Sequence, residues 1–145
     1  MNDGFYSIVV LVLLLICTGN PLADGNMIET EGGARYRDLA IGSGEIAEPG
    51  DLATMHYVGW LDDNGNKGRQ FINSYGESNA IKFVIGTDRV MPGWNEGIVG
   101  MMPGGKRLLF LPSSLGLGSR SMEGIIPANA SLIFLIELIE LRKRP

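Results

Sequence analysis

From residue 35 onward the chain alternates short apolar runs with glycine and proline punctuation, the pattern of an antiparallel sheet. Strands are expected over residues 35–41, 51–61, 68–73, 81–85, 106–111 and 131–141. In the fourth of these, Ile81, Phe83 and Ile85 share one face while polar Lys82 takes the other. Turns are expected at Glu48-Pro49-Gly50, at residues 62–66 and at Pro103-Gly104-Gly105. Only residues 92–101 carry helical spacing: Pro92 suits a first turn, and Trp94, Ile98 and Met101 fall on one face. Residues 131–141 are apolar enough for a buried helix, but their Ile and Phe content and the preceding Pro127 favour a strand. The expected fold class is α+β, an antiparallel β-sheet with one short α-helix across it.

The first 25 residues have a different pattern. Residues 8–17 are wholly apolar, too short for a membrane span of about 20 residues but matched to the core of an export signal. Thr18, Gly19, Asn20 and Pro21 follow at once. Leu14-Leu15-Ile16-Cys17 resembles a lipoprotein box, in which Cys17 would carry the lipid. The chain therefore divides into a signal peptide or lipoprotein leader (1–25), a linker (26–34) and a folded domain (35–145). The expected location is the bacterial periplasm or a lipid anchor on a membrane, with a secretory or organelle lumen as the alternative. Membrane contact is expected only through the leader or Cys17.

Charge sharpens this division. The net charge of -4 arises in the leader and linker, which hold Asp3, Asp24, Glu29 and Glu31 and no basic residue. The domain from Arg35 on is neutral, so no field for nucleic acid is expected. Arg142-Lys143-Arg144 reads as a solvated basic tail. One cysteine and one histidine, His56, exclude a disulfide framework and the usual zinc clusters. No metal and no cofactor is expected. The 21 glycines, about twice the usual share of roughly 7%, fit a turn-rich sheet.

Several motifs do not hold. Gly42-Ser43-Gly44 has the spacing of a dinucleotide loop, but Pro49 and Gly50 forbid the helix that must follow. Asp62, Asn64 and Asn66 have calcium-loop spacing, yet Lys67 replaces the needed glycine and Asn73 the bidentate acid, so a hairpin turn is expected. His56 lies mid-strand with no nucleophile pattern beside it and reads as a packed, hydrogen-bonded histidine. Asn129-Ala130-Ser131 is a glycosylation sequon that matters only on a eukaryotic secretory route.

Five stretches together are more specific: His56-Tyr57-Val58-Gly59-Trp60-Leu61 with Phe71, Ile81 through Gly86, Val90-Met91-Pro92-Gly93-Trp94, Gly104 to Leu111, and Gly124 through Phe134. In order and spacing, over about residues 36–141, they resemble the FKBP-type peptidyl-prolyl cis-trans isomerases. The resemblance implies a twisted antiparallel β-sheet wrapped around one short helix. It also implies a pocket with Trp94 as floor and Tyr57, Phe71, Val90, Met91, Ile126 and Phe134 as walls, and a Met91 N–H that holds a substrate carbonyl. Ile81, Ile72 and Leu117 would complete the substrate-binding surface. The implied activity is proline isomerisation, and the implied partners are proline-containing unfolded or exported polypeptides, with weak binding of macrolides.

Against the family pattern, Ile72 stands where a pocket aspartate is usual, and Glu77 where its arginine partner would be. Loss of both together leaves neither charge unpaired. Leu117 replaces a phenol, Met122 a frequent loop histidine, and Ile81 a phenylalanine. Polar contacts are stripped while the apolar pocket stays. Two functions follow: an isomerase of reduced activity that assists folding of exported proteins, or a non-catalytic proline-peptide-binding module or holdase.

Overall fold

The computed structural model describes residues 26–76 and 79–145. The leader, Cys17 and Glu77 therefore lie outside the described residues. Seven antiparallel strands form one sheet: β1 (Ile28–Glu29), β2 (Arg35–Ala40), β3 (Leu52–Asp63), β4 (Asn66–Asn73), β5 (Ile81–Val84), β6 (Lys106–Leu111) and β7 (Leu132–Arg142). They run in the order β1-β2-β6-β7-β3-β4, and β5 pairs with β3. Among the described residues one α-helix, α1 (Pro92–Ile98), packs on the sheet, and one 3-10 turn spans Ser113–Leu115.

Apolar side chains of the helix-facing side converge on α1. Met55, Leu109, Leu111, Phe134, Ile136 and Leu138 are fully or almost fully buried around Trp94 and Ile98. A smaller cluster of Leu108, Phe110 and Ile133, flanked by Trp60 and Leu135, covers the opposite face. This is why β6 and β7 read as continuous apolar runs rather than alternating ones: both faces of the central strands are covered.

The α1–β6 contact is unusually close. A Cβ on Gly93 would collide with Leu111, and one on Gly97 with Leu109. At the end of the helix, Arg107 of β6 donates from Nη1 to the carbonyl oxygens of Gly97 (2.8 Å) and Val99 (2.9 Å). Its Nε meets Asp38 Oδ1 at 2.7 Å, and its guanidinium lies 3.9 Å from the Tyr36 ring centre. A cation among the free carbonyls at a helix C-terminus is favourable. Arg107 is buried, so the acid and the carbonyls together offset its desolvation.

The structure corrects three expectations. The helix stops at Ile98 instead of residue 101, because Val99 turns to extended backbone and Gly100 takes a left-handed φ of 91°. The segment 26–34, expected as a linker, belongs to the sheet: Ile28 and Glu29 pair with Tyr36 and Arg35 around a turn tied by Thr30. The basic end is held down as well. Lys143 Nζ donates to Asp51 (2.6 Å), to Glu48 (3.1 Å) and to the carbonyl of Ile46 (2.9 Å). Other expectations hold. Asn64 (φ 53°) and Gly65 (φ 88°) form the hairpin turn between β3 and β4, and the Gly42–Gly44 segment is a loop.

Asp51 is buried and also accepts the backbone N–H groups of Glu48 (3.0 Å) and Arg144 (3.1 Å). The hydrogen bond from Lys143, joined by those two N–H donors, outweighs burial and lowers its pKa. A lowered carboxylate pKa contributes stability that is present above the unfolded value and lost as pH falls through the folded one. Asp51→Asn should therefore lower the urea midpoint at neutral pH. The gap between variant and wild type should close below about pH 4. A gap that persists undiminished in acid would show that Asp51 acts by shape instead of charge.

Candidate active site

The site begins where β3 changes partners. Residues 52–55 of β3 pair with β5, and residues 58–63 pair with β4. His56 and Tyr57 fall between, at the gap. Buried Ser74, just after β4, fills it: its N–H donates to the Tyr57 carbonyl (2.9 Å), and its Oγ accepts the Tyr57 N–H (2.8 Å). The same Oγ lies 2.8 Å from His56 Nδ1, and the His56 ring stacks on Tyr75 at 4.4 Å. His56 is thus the packed, hydrogen-bonded strand residue expected. Its role is to help hold the backbone that presents Tyr57.

Tyr57 meets Trp94 at 4.8 Å between ring centres, and Trp94 meets Phe134 edge-on at 5.2 Å. Phe71 meets Phe134 at 5.8 Å with the rings perpendicular. These edge and tilted contacts suit the ring quadrupoles and lock each ring against its neighbour. Gly59 makes the arrangement possible, since a Cβ there would come within 2.7 Å of both Phe71 Cζ and Phe134 Cε1. A register shift in the β3–β4 ladder between Gly59 and Trp60 leaves Phe71 without a ladder partner.

The result is a cavity of about 310 Å³. Tyr57, Phe71, Trp94 and Phe134 supply the rings, and Ile72, Met91 and Ile126 supply the aliphatic wall. Seven of the ten expected site residues are therefore together. Val90 and Leu117 instead line a neighbouring cavity of about 570 Å³ that shares Met91 and Met122 with the first. Ile81 lines neither: on β5 it pairs with Met55 and packs against the core. Met122 and Ile125 also line the aromatic cavity. Met122 is marked in the sequence only as standing where a loop histidine is frequent, and Ile125 adjoins Ile126, the one member of that apolar pair expected to face the site.

Polar groups are few. The indole Nε1 of Trp94 is buried without a hydrogen-bond partner among the described residues. The N–H of Met91, which precedes Pro92 at the start of α1, donates to no acceptor among them either. No Asp, Glu, His, Cys, Lys or Arg lines it, so the cavity holds no acid–base pair. It suits a compact apolar group gripped by shape.

Met122, Ile125 and Ile126 come from one narrow loop, closed by reciprocal backbone bonds between Met122 and Ile126 (2.9 and 2.8 Å). Its tip is held from β4 by Arg69, which donates to the carbonyls of Gly124 (3.2 Å) and Ile125 (2.5 Å). β4 carries Phe71 and Ile72, so Arg69 joins the two sides of the mouth.

The sheet-and-helix frame that carries this cavity is shared with known proteins. A family model described as FKBP-type peptidyl-prolyl cis-trans isomerase matches residues 43–139. An FK506-binding protein of Neisseria meningitidis serogroup B is 41% identical over 109 residues, covering 75% of this chain and 96% of the relative. Peptidyl-prolyl cis-trans isomerase FPR2 of Saccharomyces cerevisiae is 42% identical over 96 residues, covering 66% and 69%. Among solved structures, AtFKBP13 aligns with a TM-score of 0.70 and 32% identity, over 79% of this chain and 98% of its own. FkpA from Escherichia coli aligns with a TM-score of 0.70 and 29% identity over 90% of this chain, which spans 56% of FkpA. The chain belongs to the FKBP-type peptidyl-prolyl cis-trans isomerase family, and the antiparallel sheet around one short helix is the fold of that family.

Removing the Arg69 clamp should loosen one wall and spare the frame. In Arg69→Ala, hydrogen exchange of the amides at 122–126 should quicken about tenfold, while β3 and β7 keep their protection. Equal exchange in both proteins would mean that the loop stands without Arg69.

Proposed function

We propose that the protein is a peptidyl-prolyl cis-trans isomerase that assists folding of exported proteins, with activity reduced by the apolar substitutions at Ile72 and Leu117. The observation that carries this reading is the aromatic cavity floored by Trp94, which keeps its rings while lacking an acid–base pair. Rotation about an X–Pro bond faces a barrier of about 20 kcal/mol and breaks no bond. No nucleophile, metal or cofactor is needed. A site lowers the barrier by fitting the twisted amide better than either planar form.

Twisting removes the resonance that makes the planar amide strongly dipolar. A dry, apolar cavity therefore disfavours the planar forms relative to the twisted one. The proline ring would sit over Trp94 between Tyr57, Phe71 and Phe134, and the Met91 N–H would take the substrate carbonyl. Val90 and Leu117, in the adjoining cavity, would meet flanking residues. Ile81 would act only through the packing behind the site.

The export reading rests on the apolar run at residues 8–17, with Cys17 as the lipid site if the leader is a lipoprotein signal. Mass spectrometry of the mature N-terminus decides between cleavage alone and lipidation.

The second reading is a proline-peptide-binding module or holdase. It is favoured by the loss of polar partners at Ile72 and Leu117. A protease-coupled prolyl-peptide assay on the purified protein separates the two. Isomerisation above the uncatalysed rate is expected, and it should fall by about tenfold or more in Trp94→Ala and Phe71→Ala. Peptide binding at the uncatalysed rate would leave only the module. Circular dichroism of the variants guards against loss of the fold.

Macrolide binding is a separate check. Each lost buried hydrogen bond is worth roughly 1–3 kcal/mol, so FK506 should bind this protein weakly, and Ile72→Asp should strengthen it. Nanomolar binding by calorimetry to the wild type would show that Ile72 and Leu117 do not stand at the macrolide's polar contacts.

A further inference from the structure

The aromatic cavity and the larger one beside it share Met91 and Met122. A peptide whose proline lies over Trp94 can thus continue across those two side chains without leaving the surface. The second cavity is walled by residues 88–92, leading into α1, and residues 116–122, leading into the loop held by Arg69. Each wall contributes one arginine, Arg89 and Arg120.

Both arginines are exposed, and neither side chain is ion-paired or hydrogen-bonded among the described residues. Asp88 lines the same cavity, which leaves the lining with an excess of positive charge. The aromatic cavity itself carries no charged residue. The third cavity nearby, under the 121–128 loop, holds Arg69 and Glu123, but Arg69 is committed to the carbonyls of Gly124 and Ile125. A peptide that leaves the prolyl site past Met91 and Met122 therefore meets two uncommitted guanidinium groups, which are suited to a carboxylate by geometry as well as charge.

We propose that this cavity is an extended substrate subsite, and that Arg89 and Arg120 select an acidic side chain close in sequence to the target proline. The proposal rests on the isomerase reading and adds a substrate preference to it.

The test uses the whole protein and two series of short peptides, followed by NMR exchange without a coupling protease. One series places Glu, Gln or Lys immediately before the proline, and the other places it two residues after. In at least one series kcat/KM should favour Glu over Gln by about two- to fivefold at low salt, the effect of an exposed charge pair. The ratio should approach one at about 0.5 M salt, where the screening length falls to about 4 Å. The double variant Arg89→Glu/Arg120→Glu should shift the preference to Lys.

Equal Glu and Gln values in both series would overturn the proposal. So would a Glu preference that survives charge reversal, or a variant that lowers every rate at a constant ratio. If no peptide is isomerised at all, the isomerase reading fails by itself. The Trp94 indole chemical shift then still decides the charge preference, as a difference in binding between the Glu and Gln peptides.

Discussion

The close seating of α1 on β6 is the constraint on which the site depends. Four helical residues advance about 6 Å and two strand residues about 6.6 Å, so Gly93 and Gly97 stay in step with Leu111 and Leu109. One strand interval further on, Arg107 reaches the last carbonyls of the helix. A row of three side chains on one strand thus meets two glycines and a helix end. Trp94, next to Gly93, is lowered far enough to touch Tyr57, Phe83 and Phe134. A methyl group at either glycine would raise the floor of the cavity or push β6 away.

The same economy holds on the opposite side of the cavity. Ser74 supplies the hydrogen bonds that Tyr57 cannot obtain where β4 and β5 part, and Gly59 clears the volume in which Phe71 and Phe134 meet. Polar work is thereby concentrated behind the cavity, in Ser74, Arg107 and Asp51, while the lining stays apolar. Ile72 continues this division. Ile72 stands at the rim of the cavity, partly open to solvent, and keeps that edge apolar as well.

The strands, the hairpin turn and the helix start were legible because each depends on local pattern, whereas the aromatic wall of Tyr57, Phe71 and Phe134 came from resemblance to the family. Ile81-Lys82-Phe83 alternates at period two, Asn64-Gly65 favours left-handed backbone, and Trp94 follows Pro92 and Gly93 at a helix start. What remained hidden depends on partners far along the chain. Arg69 reads as an exposed strand residue until the loop carbonyls 55 and 56 residues away are placed over it. Lys143 reads as tail until Asp51 is found beneath it, 92 residues earlier. The helix stop at Ile98 escaped because Val99 and Met101 continue an apolar spacing, and Gly100 alone marks the turn. Ile81 was misplaced for the opposite reason: resemblance to the family carried it to the site, while its strand register turns it toward the core beside Met55.

The pairing of β3 with β7 has a bearing on synthesis. Tyr57 pairs with Ile136 and Gly59 with Phe134, so the two sides of the cavity are separated by more than half of the domain's length. Pairings so distant in sequence close late and slowly. On a ribosome, β3 through β6 emerge before the strand that must lie between β3 and β6, leaving two adjacent unfilled edges until residue 142 is free. The nascent chain is therefore itself an unfinished sheet with exposed apolar strands, and its last strand both joins the two halves and completes the cavity.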